Sequence, residues 1–224
     1  THSDFDYSKH KTDLIQNKNQ EAYVVVPHKT YTKSSLITYK DRINGLFTIT
    51  TQNNKKYDLK NKISIINDPG QQVSFVRKDG LIPSRIHTAI ELILSNKSIP
   101  AICNLGLYHF EKAPKRFHWG LWSYKYKSSI LITTLDKIYE KAKGHKICLK
   151  IYSEKSINVY EKILIWDEIS DDQISANINL NEIFDLSKID KENYMYFSIF
   201  SNYLGFVVFS TLEKKNSISL EHSF

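Results

Sequence analysis

Lys146-Ile-Cys-Leu-Lys-Ile-Tyr-Ser-Glu-Lys-Ser-Ile-Asn-Val-Tyr-Glu-Lys-Ile-Leu-Ile-Trp166 decides the fold class. Its two ends, 146–152 and 159–166, are rich in β-branched and aromatic residues and are parted by a polar joint. Such runs suit a pleated, half-buried surface and are expected to be strong strands. Downstream the pattern repeats at Ile174–Leu180, Tyr194–Ser201, Gly205–Leu212 and Ser217–His222, with a loop expected at Asp167–Asp172 and a short turn-like or helical piece at Asn181–Lys188. Short strands at regular spacing point to a mainly β fold, an antiparallel β-sandwich or barrel with one or two short helices. They do not make the strand–helix alternation of a parallel nucleotide-binding fold.

Upstream, Leu135, Ile138, Tyr139 and Ala142 recur at helical spacing. Thr134 is a plausible N-cap and Gly144 is placed to end the segment, so a helix is expected over 135–143. Pro83–Ser95 fits either period, and the helix is the preferred reading. Strands are expected at 21–27, 36–39, 46–50, 62–66, 73–76, 100–110, 117–123 and 129–133. Asn44-Gly45 predicts a two-residue hairpin turn between 39–43 and 46–50. Asp68-Pro69-Gly70 predicts another turn, because Pro presets φ and Gly accepts a positive one.

The 224 residues suffice for one large domain or two small ones. A hydrophobic share of 41% with 25% charged residues argues against wholesale disorder. Leu105-Gly-Leu-Tyr-His-Phe110 resembles Leu204-Gly-Phe-Val-Val-Phe209, and Tyr57–Ile65 loosely resembles Tyr160–Trp166. Two tandem sandwich modules would account for both. The expected division is a tail over 1–20, a basic β module over 21–125 and a second module over 126–224.

Only four of the 31 basic residues are arginine: Arg42, Arg77, Arg85 and Arg116. With the abundance of Lys, Ile, Asn, Tyr and Phe, this suits an A/T-rich coding sequence, which explains much of the net +7. The distribution says more. Residues 1–125 carry 19 basic and 10 acidic side chains, whereas 126–224 carry 12 and 14. A bound polyanion would therefore meet the first part. Cys103 and Cys148 lie in apolar runs and are expected to be free, buried thiols. No apolar run approaches the ~18 residues of a membrane-crossing helix, so a soluble protein is expected. The sequence opens at Thr1, as a processed or trimmed chain would.

No Gly-rich phosphate loop, GxSxG elbow, HExxH, CxxC or EF-hand pattern occurs. No cofactor and no metal site is expected. Among the histidines, His109, His118 and His222 fall in ordered-looking segments. A hairpin around Pro114 would bring His109 and His118 together as an acid–base or metal pair, with Glu111 the nearest third ligand; half-buried strand histidines with satisfied nitrogens are the favoured alternative. Asp167, Glu168, Asp171 and Asp172 crowd one loop, where a solvated acidic turn is preferred over a calcium site.

The richest stretch is Leu105–Lys127, with Trp119, Trp122, Tyr124 and Tyr126 interleaved with Lys112, Lys115, Arg116, Lys125 and Lys127. Aromatic faces stack on sugar rings or bases, and cations hold anionic groups. Strand alternation puts Phe117, Trp119 and Leu121 on one face and Arg116, His118 and Trp122 on the other. The first set is expected in the core and the second near the surface, the exchanged assignment being the alternative. The expected ligand-binding residues are Lys115, Arg116, His118, Trp122 and Tyr124. The expected function is non-catalytic binding of a glycan or other anionic polymer, with nucleic acid disfavoured as a partner. A polymer-acting hydrolase or lyase around His109, His118 and Arg116 is the competing reading. A self-associating structural or assembly protein is the third.

Overall fold

The computed structural model describes residues 21–27, 33–39, 47–59, 64–67, 70–78, 87–94, 99–109, 115–153, 155, 158–185, 187–189 and 194–223. The chain is mainly β and antiparallel, a β-sandwich architecture with two four-residue helices, α1 (Trp166–Ile169) and α2 (Leu180–Ile183). The first strands are β1 (Ala22–Val25), β2 (Lys33–Tyr39), β3 (Phe47–Thr50), β4 (Lys56–Leu59), β5 (Ser64–Asn67), β6 (Gln72–Arg77), β7 (His87–Ile93), β8 (Ala101–Leu105) and β9 (Leu107–Tyr108). They form two sheets, β4-β3-β6-β1-β9 and β5-β2-β7-β8. The rest are β10 (Phe117–Trp122), β11 (Lys127–Thr134), β12 (Lys146–Tyr152), β13 (Val159–Ile165), β14 (Ser175–Asn179), β15 (Met195–Ser201), β16 (Phe206–Lys214) and β17 (Ser217–His222). They form β13-β12-β15-β10 and β14-β11-β16-β17.

The two pairs of sheets have one strand order. Raising each strand number of the first pair by nine, β9 apart, gives the second pair. In this correspondence Tyr57 of β4 and Tyr160 of β13 occupy matching strands. Leu105–Phe110 and Leu204–Phe209 do not, because β16 answers to β7 and β17 to β8. β10 hydrogen-bonds to β15, so a division by sheets falls between Tyr108 and Phe117, ahead of residue 126.

Several expectations are corrected. Residues 87–93 are a strand, not a helix: β7 is paired on both sides, by β2 and β8, and buries Ala89, Ile90 and Leu92. The segment 135–143 makes a single helical turn and no helix. Ile138 N and Tyr139 N both donate to Leu135 O, while Leu135 N donates to Gly205 O and Thr134 N to Ile174 O. The apolar spacing does mark buried positions, but neighbouring strands hold the backbone that a helix would need. Gly144 takes a left-handed φ of 74° there. Asn44-Gly45 lies outside the described residues. The strands flanking it enter different sheets, β2 pairing with β5 and β7 and β3 with β4 and β6, so they are not a hairpin. The run expected as one strand over 100–110 divides at Gly106 into β8 and β9, which belong to different sheets. Cys103 and Cys148 are free thiols, Cys148 buried and Cys103 half-buried. The expected tail, residues 1–20, lies outside the described residues.

One apolar cluster runs through both pairs of sheets, from Val24, Ile49, Phe75 and Ile90 to Trp122, Ile132, Phe197 and Phe209. Polar ties also join them. Gln71 Nε2 donates to Ser175 Oγ, Gln72 Nε2 to Asp136 Oδ1 at 2.6 Å and Ile99 N to Asn216 O at 3.2 Å. Among the described residues no helix is long and apolar enough to cross a membrane.

Candidate functional site

β10 organises the site because its two faces meet different surroundings. The inward face carries His118, Gly120 and Trp122, and the outward face Phe117, Trp119 and Leu121. This reverses the expected assignment. Trp122 is fully buried and donates its indole Nε1–H to Asn181 Oδ1 at 3.0 Å. Asn181 is the second residue of α2, whose start is capped by the Asn179 side chain. Gly120 explains why the strand sits this way round. A Cβ there would come within 2.7 Å of the fully buried Phe197 ring and 3.2 Å of Ser210 Oγ on the facing sheet. The inner face at Gly120 therefore has no room for a side chain, which fixes β10 against β15 and β16.

Of the residues expected to bind ligand, Lys115 and His118 come together in a cavity. Arg116 is exposed, and its carbonyl accepts from Ser201 N at 3.1 Å, continuing the β10–β15 ladder. Tyr124 is half-buried with the Lys125 ammonium 6.0 Å from its ring. Trp122 is a core anchor and presents nothing to a ligand.

The outward face forms rows across four strands. Phe117 stands beside Phe200, Cys148 and Ile163; Trp119 beside Ser198, Lys150 and Glu161; Leu121 beside Tyr196, Tyr152 and Val159. Phe117 is 49%, Trp119 40% and Val159 56% exposed, far above the burial of the inward face. Tyr152 and Tyr196 stack with ring centroids 5.8 Å apart and planes 25° from parallel, and Trp119 lies 6.4 Å from Tyr196. Lys150 Nζ and Glu161 Oε2 pair at 3.1 Å in the middle row. Tyr152, Tyr196 and Phe200 were not singled out from sequence. The available signal was the alternation of each strand, which becomes useful only when the pairing partners are known.

Behind β10 lies a cavity of about 90 Å³ lined by Lys115, His118, His109, Tyr108, Tyr139 and His222, with Leu135, Ile138, Leu204 and Phe206 completing the wall. His109 and His118 both line it, although among the described residues β9 pairs with β1 and β10 with β15, not with each other. Tyr108 Oη and His222 Nε2 are hydrogen-bonded at 2.8 Å. His118 is 4% exposed, and neither ring nitrogen makes a well-formed hydrogen bond, the Lys115 backbone being only a weak partner. Burial lowers its pKa to about 4, helped by the His222 ring and the Lys115 charge, while the nearby Lys115 backbone pulls weakly the other way. Burial raises the pKa values of the Tyr108 and Tyr139 hydroxyls, which stay protonated.

Among the described residues no three His, Cys, Asp or Glu side chains gather closely enough to hold a metal, and Glu111 lies outside them. Two carboxylates of the acidic loop bind backbone N–H groups. Asp172 Oδ1 accepts from Ile174 N at 3.0 Å and Ser175 N at 2.8 Å, and Asp167 Oδ2 from Gly144 N. Comparisons with family models, curated proteins and solved structures find no match to this chain.

Proposed function

We propose that this is a non-catalytic binding protein of two tandem β-sandwich modules, which holds a glycan on the outward face of β13-β12-β15-β10. The observation that carries the reading is the set of aromatic rings on that face, exposed on β10 at Phe117 and Trp119 and half-buried on its neighbours at Tyr152, Tyr196 and Phe200. A pyranose has an apolar C–H face and a rim of hydroxyls. Trp119, Phe117 and the stacked Tyr152–Tyr196 pair offer flat apolar platforms at strand spacing, about 4.8 Å between neighbours. The row that Trp119 occupies, between Phe117 and the tyrosine pair, supplies half-buried Lys150 and Glu161, a donor and an acceptor suited to hydroxyls. Lys150 is already paired with Glu161, which favours a neutral glycan over an anionic polymer. The shared strand order supports the tandem-module part of the reading.

The competing polymer-acting enzyme draws less support. The histidines meet in a cavity of about 90 Å³, too small for a polymer, and no Asp or Glu among the described residues lines it. Calorimetric titration with oligosaccharides of chitin, cellulose and xylan tests the proposal. Trp119→Ala is expected to abolish binding while leaving the protein folded, with a smaller loss of stability than Trp122→Ala causes, because the ring is 40% exposed and Trp122 fully buried. Binding is expected to be insensitive to salt. Concentration-dependent self-association by light scattering, lost in Trp119→Ala, would instead assign the face to a second copy and contradict the glycan reading.

A further inference from the structure

We infer that the cavity behind β10 binds a small carboxylic acid carrying a short apolar body. The site is separate from the aromatic face: it lies on the inward side of the same strand, between elements of both pairs of sheets.

The unpartnered imidazole is the first support. His118 is 4% exposed and neither Nδ1 nor Nε2 makes a well-formed hydrogen bond, only the Lys115 backbone acting weakly on the ring, and His109 Nδ1 is buried without a partner. A buried polar group left unpaired costs free energy, and native chains rarely keep one without a use. Two such side chains line one cavity. Its volume of about 90 Å³ compares with ~10–15 Å³ needed by one water on the same measure, so it accommodates a small molecule.

Charge selects the ligand's head. Lys115, an exposed residue of the lining, contributes an ammonium, and His118, His109 and Tyr139 contribute N–H and O–H groups. Among the described residues no carboxylate lines the cavity to oppose an anion. A carboxylate there accepts a charge-assisted bond from Lys115 and a second bond from the His118 ring. The neutral form of His118, favoured by its buried setting, still offers one N–H.

The remaining wall selects the body. Leu135, Ile138, Leu204 and Phe206 are apolar, so a bare inorganic anion leaves that side unused and a hydrocarbon or aromatic tail fills it. The polar and apolar sides together describe an acid of the size of butyrate or benzoate.

The test follows the histidine ring signals of the intact protein by NMR while sodium butyrate, sodium benzoate, their amides and inorganic phosphate are added. Butyrate or benzoate is expected to shift the His118 and His222 signals saturably. The matching amide is expected to bind at least about tenfold more weakly, the loss of one charge-assisted bond. Lys115→Ala, at an exposed position that should not disturb folding, is expected to weaken the acid and not the amide. The inference is overturned if neither acid shifts the His118 signals at any soluble concentration, or if an amide binds as tightly as its acid. It is equally overturned if phosphate matches butyrate, or if Lys115→Ala binds the acid as the unsubstituted protein does.

Discussion

Trp119 and Trp122 lie three residues apart on one strand and meet opposite environments. Trp122 is fully buried, hydrogen-bonded to Asn181 and flanked by Gly120, where Phe197 fills the space a side chain would take. Trp119 is 40% exposed in a row with Ser198, Lys150 and Glu161. The inward face of the sheet is specified by packing, and the outward face is free to be specified by a ligand. Two tryptophans in one motif therefore carry different meanings, and only the pairing of the strand tells them apart.

The largest effect that would break this contrast is expected at Trp122. Trp122→Ala should cost about 3–5 kcal/mol in urea denaturation, since it opens a cavity and strips Asn181 Oδ1 of its donor. A loss no greater than that of Trp119→Ala would erase the distinction between the faces.

An intermediate effect comes from His118 and sharpens the account of the inward face. Its pKa is about 4 when folded, against an ordinary value near 6.5. Between those values the unfolded chain binds more protons than the folded one, so stability falls as pH drops. The contribution is fully present above about pH 6.5 and lost as pH approaches 4. Between roughly pH 7 and pH 5 the loss should be about 2 kcal/mol, and His118→Gln should remove that part of the slope. Urea melts at the two pH values measure it. An unchanged slope in the variant would mean that His118 is not held neutral by its burial.

The smallest effect belongs to the outward face. Trp119→Ala should cost no more than about 2 kcal/mol, less than Trp122→Ala, because 40% of the side chain is already in water. A larger loss would make the ring part of the core and remove the argument for a platform.

Sequence patterning made the second half legible because its strands are long, apolar and separated by polar joints. Lys146–Tyr152, Met195–Ser201 and Ser217–His222 lie where β-branched and aromatic runs predict them. The first half was harder. His87–Ile93 is a central strand between β2 and β8 that buries Ala89 as well as Ile90 and Leu92, so its apolar residues show no clean alternation, and helix and strand fit equally. Leu135, Ile138, Tyr139 and Ala142 have helical spacing and are buried, yet their backbone is held by Gly205 and by the turn itself. Tertiary hydrogen bonds outweighed local periodicity there. At the site, sequence alternation divided β10 into the right two sets of residues but put the wrong set inside. The deciding interaction, Phe197 against Gly120, joins positions far apart in the chain. The meeting of His109 with His118 was anticipated through a hairpin, whereas among the described residues their strands pair with β1 and β15 instead; His222 joins them from the last strand.

Acrylamide quenching of tryptophan fluorescence tests the central claim most directly, because Trp122 and Trp166 are fully buried and only Trp119 of the three meets solvent. The account predicts that a chitin, cellulose or xylan oligosaccharide, added to saturation, shields the quenchable tryptophan and lowers the quenching constant. Quenching that stays unchanged with every one of these sugars would contradict the assignment of the outward face as a glycan platform.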